Sequence, residues 1–208
     1  MTQELASPKL ASPLADATGA RVHPDGIHEN LSRIQDEVFS TASALDREEL
    51  ADVARLIRRA PRVFVVGAGR SGLVLRMAAM RLMHLGLGVH VVGETTTPAI
   101  GAGDLLVAAS GSGTTAGVVK AASTASAVGA KIAVYTTAPE SPLAARADAV
   151  VVIPAARKTD HGSAVSRQYA GSLFEQVLLV AAEAVFQSLW DADGTPAEEL
   201  WLRHANLE

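Results

Sequence analysis

Arg62-Val-Phe-Val-Val-Gly-Ala-Gly-Arg-Ser-Gly72 is an apolar run that stops on glycines spaced as GxGxxG and passes directly into a helical pattern. A strand reading Val-Phe-Val-Val, without polar alternation, is covered on both faces, which is the signature of a parallel sheet. Four more short apolar runs follow: Val89-His-Val-Val92, Leu105-Leu-Val-Ala-Ala109, Lys131-Ile-Ala-Val-Tyr135 and Ala149-Val-Val-Val-Ile153. Helical segments separate most of them, clearly at residues 72–86 and 115–129 and as a short piece at 141–147. Alternating β and α units of this kind predict a doubly wound α/β fold, a three-layer αβα sandwich around a five-stranded parallel sheet.

Upstream, residues 27–60 carry helical periodicity. Leu31, Ile34, Val38 and Ala42 lie on one stripe and Leu50, Val53, Leu56 and Ile57 on another, with Asp46 and Glu49 as a cap between two helices. Residues 1–26 mix Ala, Ser, Pro, Asp and Gly without a period and are expected to be a mobile tail. Downstream of the last strand come a polar loop over 154–169, a long helix over 171–190 and a helical tail over 195–208. The expected organisation is one domain over 27–208, with helical extensions at both ends.

The 208 residues are 49% hydrophobic, 19% charged and 4% aromatic, with a formal net charge of −4 and no cysteine. Such a chain buries enough surface for a core without disulfides or metals. The acidic balance and scarcity of aromatics argue against a nucleic-acid partner. The lack of cysteine excludes thiolate nucleophiles, Fe–S clusters and Cys-bound zinc, and suits a reducing cytoplasm. The N-terminal stretch does not read as an export signal, and the apolar runs fall short of the ~20 residues that span a bilayer, so no membrane partner is expected.

Chemistry is concentrated at the strand ends. Gly67, Gly69 and Gly72, with Glu94 after the second strand, satisfy a dinucleotide fingerprint. A chain that spends its length on a five-stranded sheet leaves little for a separate substrate domain, and the third strand ends in Ser110-Gly-Ser-Gly-Thr-Thr115. Glycine lets backbone approach an anion, helix N–H groups attract it and hydroxyls donate to it, so this loop suits one phosphate. The plainer alternative is that its hydroxyls merely cap a helix.

The runs RVFVVGAGRSGLVLRMAAMRLMHLG, VVGETTTPAI, DLLVAASGSGTT, AGSLFEQ and RHANLE resemble the 6-phospho-3-hexuloisomerases of the sugar isomerase (SIS) family, over about Leu31 to Glu208. SGSGTT alone marks the wider family; GRSG, RLMHLG, GETTTPAI and the closing NLE are narrower. The resemblance implies a SIS domain with a flavodoxin-like doubly wound sheet. It implies isomerisation of D-arabino-hex-3-ulose 6-phosphate to D-fructose 6-phosphate, the step of formaldehyde fixation by the ribulose monophosphate route that follows 3-hexulose-6-phosphate synthase. It also implies a homo-oligomer, expected to be a tetramer built from dimers. Non-catalytic sugar-phosphate-binding regulators and arabinose 5-phosphate isomerase-like enzymes share the wider pattern. A nucleotide-dependent oxidoreductase is the remaining rival.

Moving a carbonyl from C3 to C2 needs a base for the C2 proton and donors for an enediolate. No metal or cofactor is required, and the six histidines show no paired ligand spacing. Glu175 is the expected base, matching the catalytic glutamate of sugar isomerases, although Ser172-Leu-Phe-Glu175 also reads as a capping box. His84 shares a helical stripe with Leu73, Met77 and Met80 and is expected either in the core or interface or, by the resemblance, at a neighbouring subunit's site. His161 is a weaker rival; His23, His28 and His90 read as structural or solvated. Gly69, Arg70, Ser71, Thr95, Thr96 and Thr97 are expected at the sugar, and Ser110, Ser112, Gly113, Thr114 and Thr115 at the phosphate. Arg70 either neutralises phosphate or faces water. His204 and Glu208 are candidates for contacting substrate from the adjoining subunit. Leu200 and Trp201 need a surface to cover them.

Overall fold

Unbroken apolar runs suit strands sandwiched between helices, and in the computed structural model all five runs form strands of one sheet, the second of them, Val89–Val91, only half-buried at the sheet edge. The structure describes residues 22–156 and 166–207. Helices α1 (Pro24–Ser43) and α2 (Arg47–Arg59) precede β1 (Val63–Gly67), α3 (Gly69–His84), β2 (Val89–Val91) and β3 (Leu105–Ala109). Then come α4 (Ala116–Ala127), β4 (Lys131–Thr136), a 3-10 turn (Ala144–Arg146), β5 (Ala149–Val152), α5 (Ser172–Asp193) and α6 (Ala197–Trp201). Every pairing is parallel, in the order β2-β1-β3-β4-β5.

The backbone gathers into two units, residues 1–35 and 36–208, with the boundary inside α1. In the first, α1 begins on Pro24, whose fixed φ suits the first helical position, and Arg33 donates to Asn30. The helix therefore starts inside the stretch expected to be tail; residues 1–21 of that stretch lie outside the described residues. In the second unit, strand alternation divides the core. Val63, Val65, Leu105, Val107, Tyr135 and Val151 face α2, α3 and α5, whereas Phe64, Leu106, Ile132 and Val134 face α4 and the 3-10 turn. Each such buried side chain contributes about 1.5–3 kcal/mol relative to exposure. At α2 the Asp46 carboxylate accepts from the Glu48 and Glu49 N–H groups as expected of the cap, whereas the Glu49 carboxylate does not close a box with Asp46 but accepts from the Val152 N–H of β5.

Helix α5 has the length and the mean hydropathy, 1.3, of a membrane span. Its apolar side chains Leu173, Val177, Leu178, Ala181 and Val185 are instead part of the sheet's core. At the opposite end of the sheet from the strand C-termini, Arg62 grips the buried Asp104 carboxylate through two nitrogens and holds it below the usual carboxylate range.

Two features make a crevice. Gly67 pairs with Ala109, so β1 and β3 end level. Their following helices, α3 and α4, leave on opposite faces, the topological switch point of an open α/β sheet. A Cβ on Gly72 would stand 2.5 Å from the Gly67 carbonyl oxygen, so the third glycine of the GxGxxG spacing is required by strand–helix packing and needs no nucleotide to explain it.

Candidate active site

A cleft of about 600 Å³ opens at this switch point. Its wall is made by Ala68, Gly69 and Ser71 after β1, by Ser110, Gly111, Ser112, Thr114 and Thr115 after β3, and by Ala156, Gly171 and Phe174. None of these side chains is charged. Helices α3, α4 and α5 begin here at Ala68, Thr115 and Gly171, and among the described residues none of the three has a side-chain cap. Their first N–H groups lack intrahelical acceptors and carry the positive ends of the helix dipoles. In α2, by contrast, an acidic cap occupies that position.

The serine–threonine loop is braced from below. The Gly111 carbonyl accepts from the hydroxyls of Thr136 and Thr137 and from the Thr137 N–H, and the Gly113 carbonyl accepts from the Leu143 N–H. Gly113 has φ +63°, and a Cβ there would lie 2.0 Å from Ser141 Oγ, so only glycine fits. The hydroxyls do not cap α4. Ser110 and Thr115 bond each other at 2.8 Å, while Thr114 donates to Ser112 Oγ at 2.9 Å. Four hydroxyls thus wait at an uncapped helix start, the arrangement expected of an anion cradle.

Glu175 stands in the first turn of α5, beside the cleft residue Phe174, and is only 4% exposed. Its Oε2 lies 2.5 Å from Nε of Arg70, which is flanked by the cleft residues Gly69 and Ser71. The capping box suggested by Ser172 and Glu175 is not formed, because Gly171 is the N-cap. Ser172 falls one position inside the helix, and both its N–H and its hydroxyl donate to the Tyr169 carbonyl. The segment leading into α5 is tied to α1, where the Glu37 carboxylate accepts from the Ser166 hydroxyl, the Arg167 N–H and the Gln168 side chain. Gln168 in turn accepts from Gln176 of α5. Next to the N-cap, Ala170 is held at φ +52°, strain of the kind that surrounding structure must enforce at functional sites.

Other expected residues are elsewhere. Thr95 and Thr96 are exposed on the turn after β2 and do not line the cleft. Thr97 donates its hydroxyl to the Val91 carbonyl and lines a separate hollow with Phe64, Ile100 and Lys120 on the α4 face. The reason is the sheet order: β2 is an edge strand, outside the β1–β3 crevice. Glu94, placed by its spacing at a ribose, is instead ion-paired with Arg76 on α3.

His84 closes α3 at the end opposite the cleft. Fifteen residues from Gly69, at the helical rise, put it about 22 Å away. It is buried, stacks on His204 with ring centroids 3.9 Å apart, and its carbonyl accepts from Arg203. Burial, with His204 and Arg81 nearby, pushes its imidazole below the usual range, and its Nδ1 has no hydrogen-bond partner among the described residues. Leu73, Met77 and Met80 on the same stripe are half or more exposed, so they are not core. In the tail Leu200 is buried, whereas Trp201 is exposed and packs on His204. His90 lies against Phe64, and His23 and His28 are exposed. His161 and Glu208 lie outside the described residues. Phe174, Gly171, Ala68 and Ala156 line the cleft although no motif in the sequence singles them out. Ala68 and Ala156 sit just past strand ends, a signal that was available; Phe174 could be inferred only from where α5 starts.

Residues 56–180 match the SIS domain model. The 3-hexulose-6-phosphate isomerase of Mycobacterium gastri is 69% identical over 195 residues, which cover 93% of this chain and 98% of that one. The 3-hexulose-6-phosphate isomerase of Bacillus subtilis is 38% identical over 181 residues, covering 86% and 98%. A solved structure from Methanococcus jannaschii, described as inferring a 3-hexulose-6-phosphate isomerase function, superposes with a TM-score of 0.74 at 29% identity, covering 86% of this chain and 99% of that one.

Proposed function

We propose that this chain, which belongs to the SIS-domain family, converts D-arabino-hex-3-ulose 6-phosphate to D-fructose 6-phosphate through a 2,3-enediolate. The observation that carries the mechanism is the convergence of three uncapped helix starts and a braced hydroxyl loop on one cleft, with a buried carboxylate at its edge. Ser110, Ser112, Thr114 and Thr115, with the α4 N–H groups, hold the phosphate. Glu175 takes the C2 proton; the C2–H electrons form the C2=C3 bond and the C3 carbonyl becomes the oxyanion. Protonation at C3 and closure of the C2 carbonyl give the 2-ketose.

In this reading the reaction uses no cofactor and the enzyme works in the cytoplasm, next in sequence to the synthase that forms the 3-ketose. Purified protein supplied with hexulose 6-phosphate is expected to yield fructose 6-phosphate without added metal or nucleotide. Activity abolished by EDTA and restored by a divalent ion would overturn the metal-free route.

The remaining part of the reading is assembly. Leu73, Met77 and Met80 form an exposed apolar stripe along α3, 62%, 50% and 59% accessible, a surface suited to a second copy of the chain. Since His84 is a helix length from its own cleft, its catalytic use is in trans, with His204 beside it, in a tetramer built from dimers. Two inactive variants, Glu175→Gln and His84→Asn, are expected to regain turnover when coexpressed, because some clefts then combine an intact Glu175 with an intact His84. Deleting residues 203–208 is expected to lower turnover and, because Arg203 and His204 cover His84, to lower Tm modestly as well. A fully active monomer by light scattering would remove this arrangement.

A further inference from the structure

We propose that Arg70 is a catalytic residue of this isomerisation, its guanidinium holding the enediolate oxygens rather than the substrate's phosphate. The inference rests on the reading of Glu175 as the base.

Three observations lead to it. Arg70 Nε is 2.5 Å from Glu175 Oε2, so the guanidinium is at the base, and among the described residues no hydrogen bond or ion pair joins it to the Ser110–Thr115 loop. The loop has its own hydroxyl and helix N–H donors, and the phosphate hangs from C6, at the far end of the sugar from C2 and C3. Finally, Arg70 lies in the first turn of α3, where the helix dipole disfavours a cation. Its position is therefore not explained by helix stability, and the ion pair with a carboxylate that is 4% exposed accounts for it, while its own side chain, 62% exposed, remains open to a ligand.

The charge balance of the reaction uses this arrangement. In the resting site Arg70 faces the Glu175 carboxylate. When that carboxylate takes the C2 proton it becomes neutral, and the negative charge appears on the C3 oxygen as the carbonyl π electrons move onto it. A guanidinium in contact with the base is within reach of that oxygen, carries donors only and stays charged throughout. Its fork can span O2 and O3, so the same group holds the charge whichever oxygen bears it as the proton on O2 passes to O3 and Glu175 returns its proton to C3. Such a donor acts where charge develops and leaves ground-state binding largely untouched.

The test separates this role from phosphate binding by the split between kcat and KM. Arg70→Gln is expected to lower kcat by about 10²-fold, the effect of losing one oxyanion donor, with KM and the inhibition constant of inorganic phosphate within about threefold of the parent. Guanidinium ion added to Arg70→Ala is expected to restore part of kcat. Should Arg70→Gln melt early, Arg70→Lys, which keeps the charge and loses the fork, is read on the same constants with the same expectation. An unchanged kcat, or a tenfold rise in KM and in the phosphate inhibition constant at normal kcat, overturns the proposal. Failure of the base reading is visible separately, as C2-proton exchange with D₂O retained in Glu175→Gln.

Discussion

Glu175→Gln is expected to remain folded and to bind phosphate normally while losing ~10² or more in turnover and in exchange of the C2 proton with D₂O. The amide keeps the shape of the side chain and the helical position, but it cannot accept a proton at the working pH. The structure sharpens this contrast, because the Ser172–Glu175 capping box does not exist and its loss therefore cannot be the cause of a defect. Removing the carboxylate does take away the Arg70 ion pair. Since Arg70 is largely hydrated, losing that pair is expected to cost on the order of 1 kcal/mol of stability. Near-normal turnover in this variant would place the base elsewhere in the cleft.

The second large effect is at the phosphate. Hydrogen bonds to a charged partner contribute about 1.5–3 kcal/mol each, or roughly tenfold or more in binding. Replacing Ser110, Ser112 and Thr115 together by alanine is expected to raise KM for the sugar phosphate by about 10²-fold or more, and to weaken competition by inorganic phosphate in parallel, with kcat changed less. The framework beneath should survive, since Gly111 and Gly113 are held by Thr136, Thr137 and Leu143 and not by the deleted hydroxyls. A triple variant that binds substrate as the parent does would mean that the phosphate sits in another place.

These two expectations differ in how visible their grounds are in the sequence. The proposed phosphate loop is local: a strand run, a glycine-spaced hydroxyl segment and a helix start are all contiguous, and 110–115 forms the hydroxyl-lined turn before α4 that its composition suggests. The proposed base is half local. A glutamate three residues after a serine has two satisfactory solutions, a cap or a carboxylate engaged by other elements, and the choice depends on which residue becomes the N-cap. Here the chain enters α5 through a segment tied to Glu37 on α1, Ala170 is held at positive φ, and Gly171 takes the cap position.

The threonines of 95–97 mark the opposite case. A strand end rich in hydroxyls is a fair sign of a ligand site in an α/β fold, yet only strand ends beside the switch point share the crevice. Strand order is a property of the assembled sheet, and β2 lies on its edge.

By itself, the sequence determined the five strands, the helices between them, the glycine spacing at the end of β1 and the hydroxyl-rich turn at 110–115, because each depends on the period and composition of neighbouring residues. Tertiary structure alone decided that Arg70 meets Glu175, that Arg203 and His204 cover His84 at the far end of α3, and that Thr97 faces another hollow. Periodicity says which face of an element is apolar and must be buried. It does not say which other face will be brought against it, and a pairing between residues more than a hundred positions apart depends on that packing.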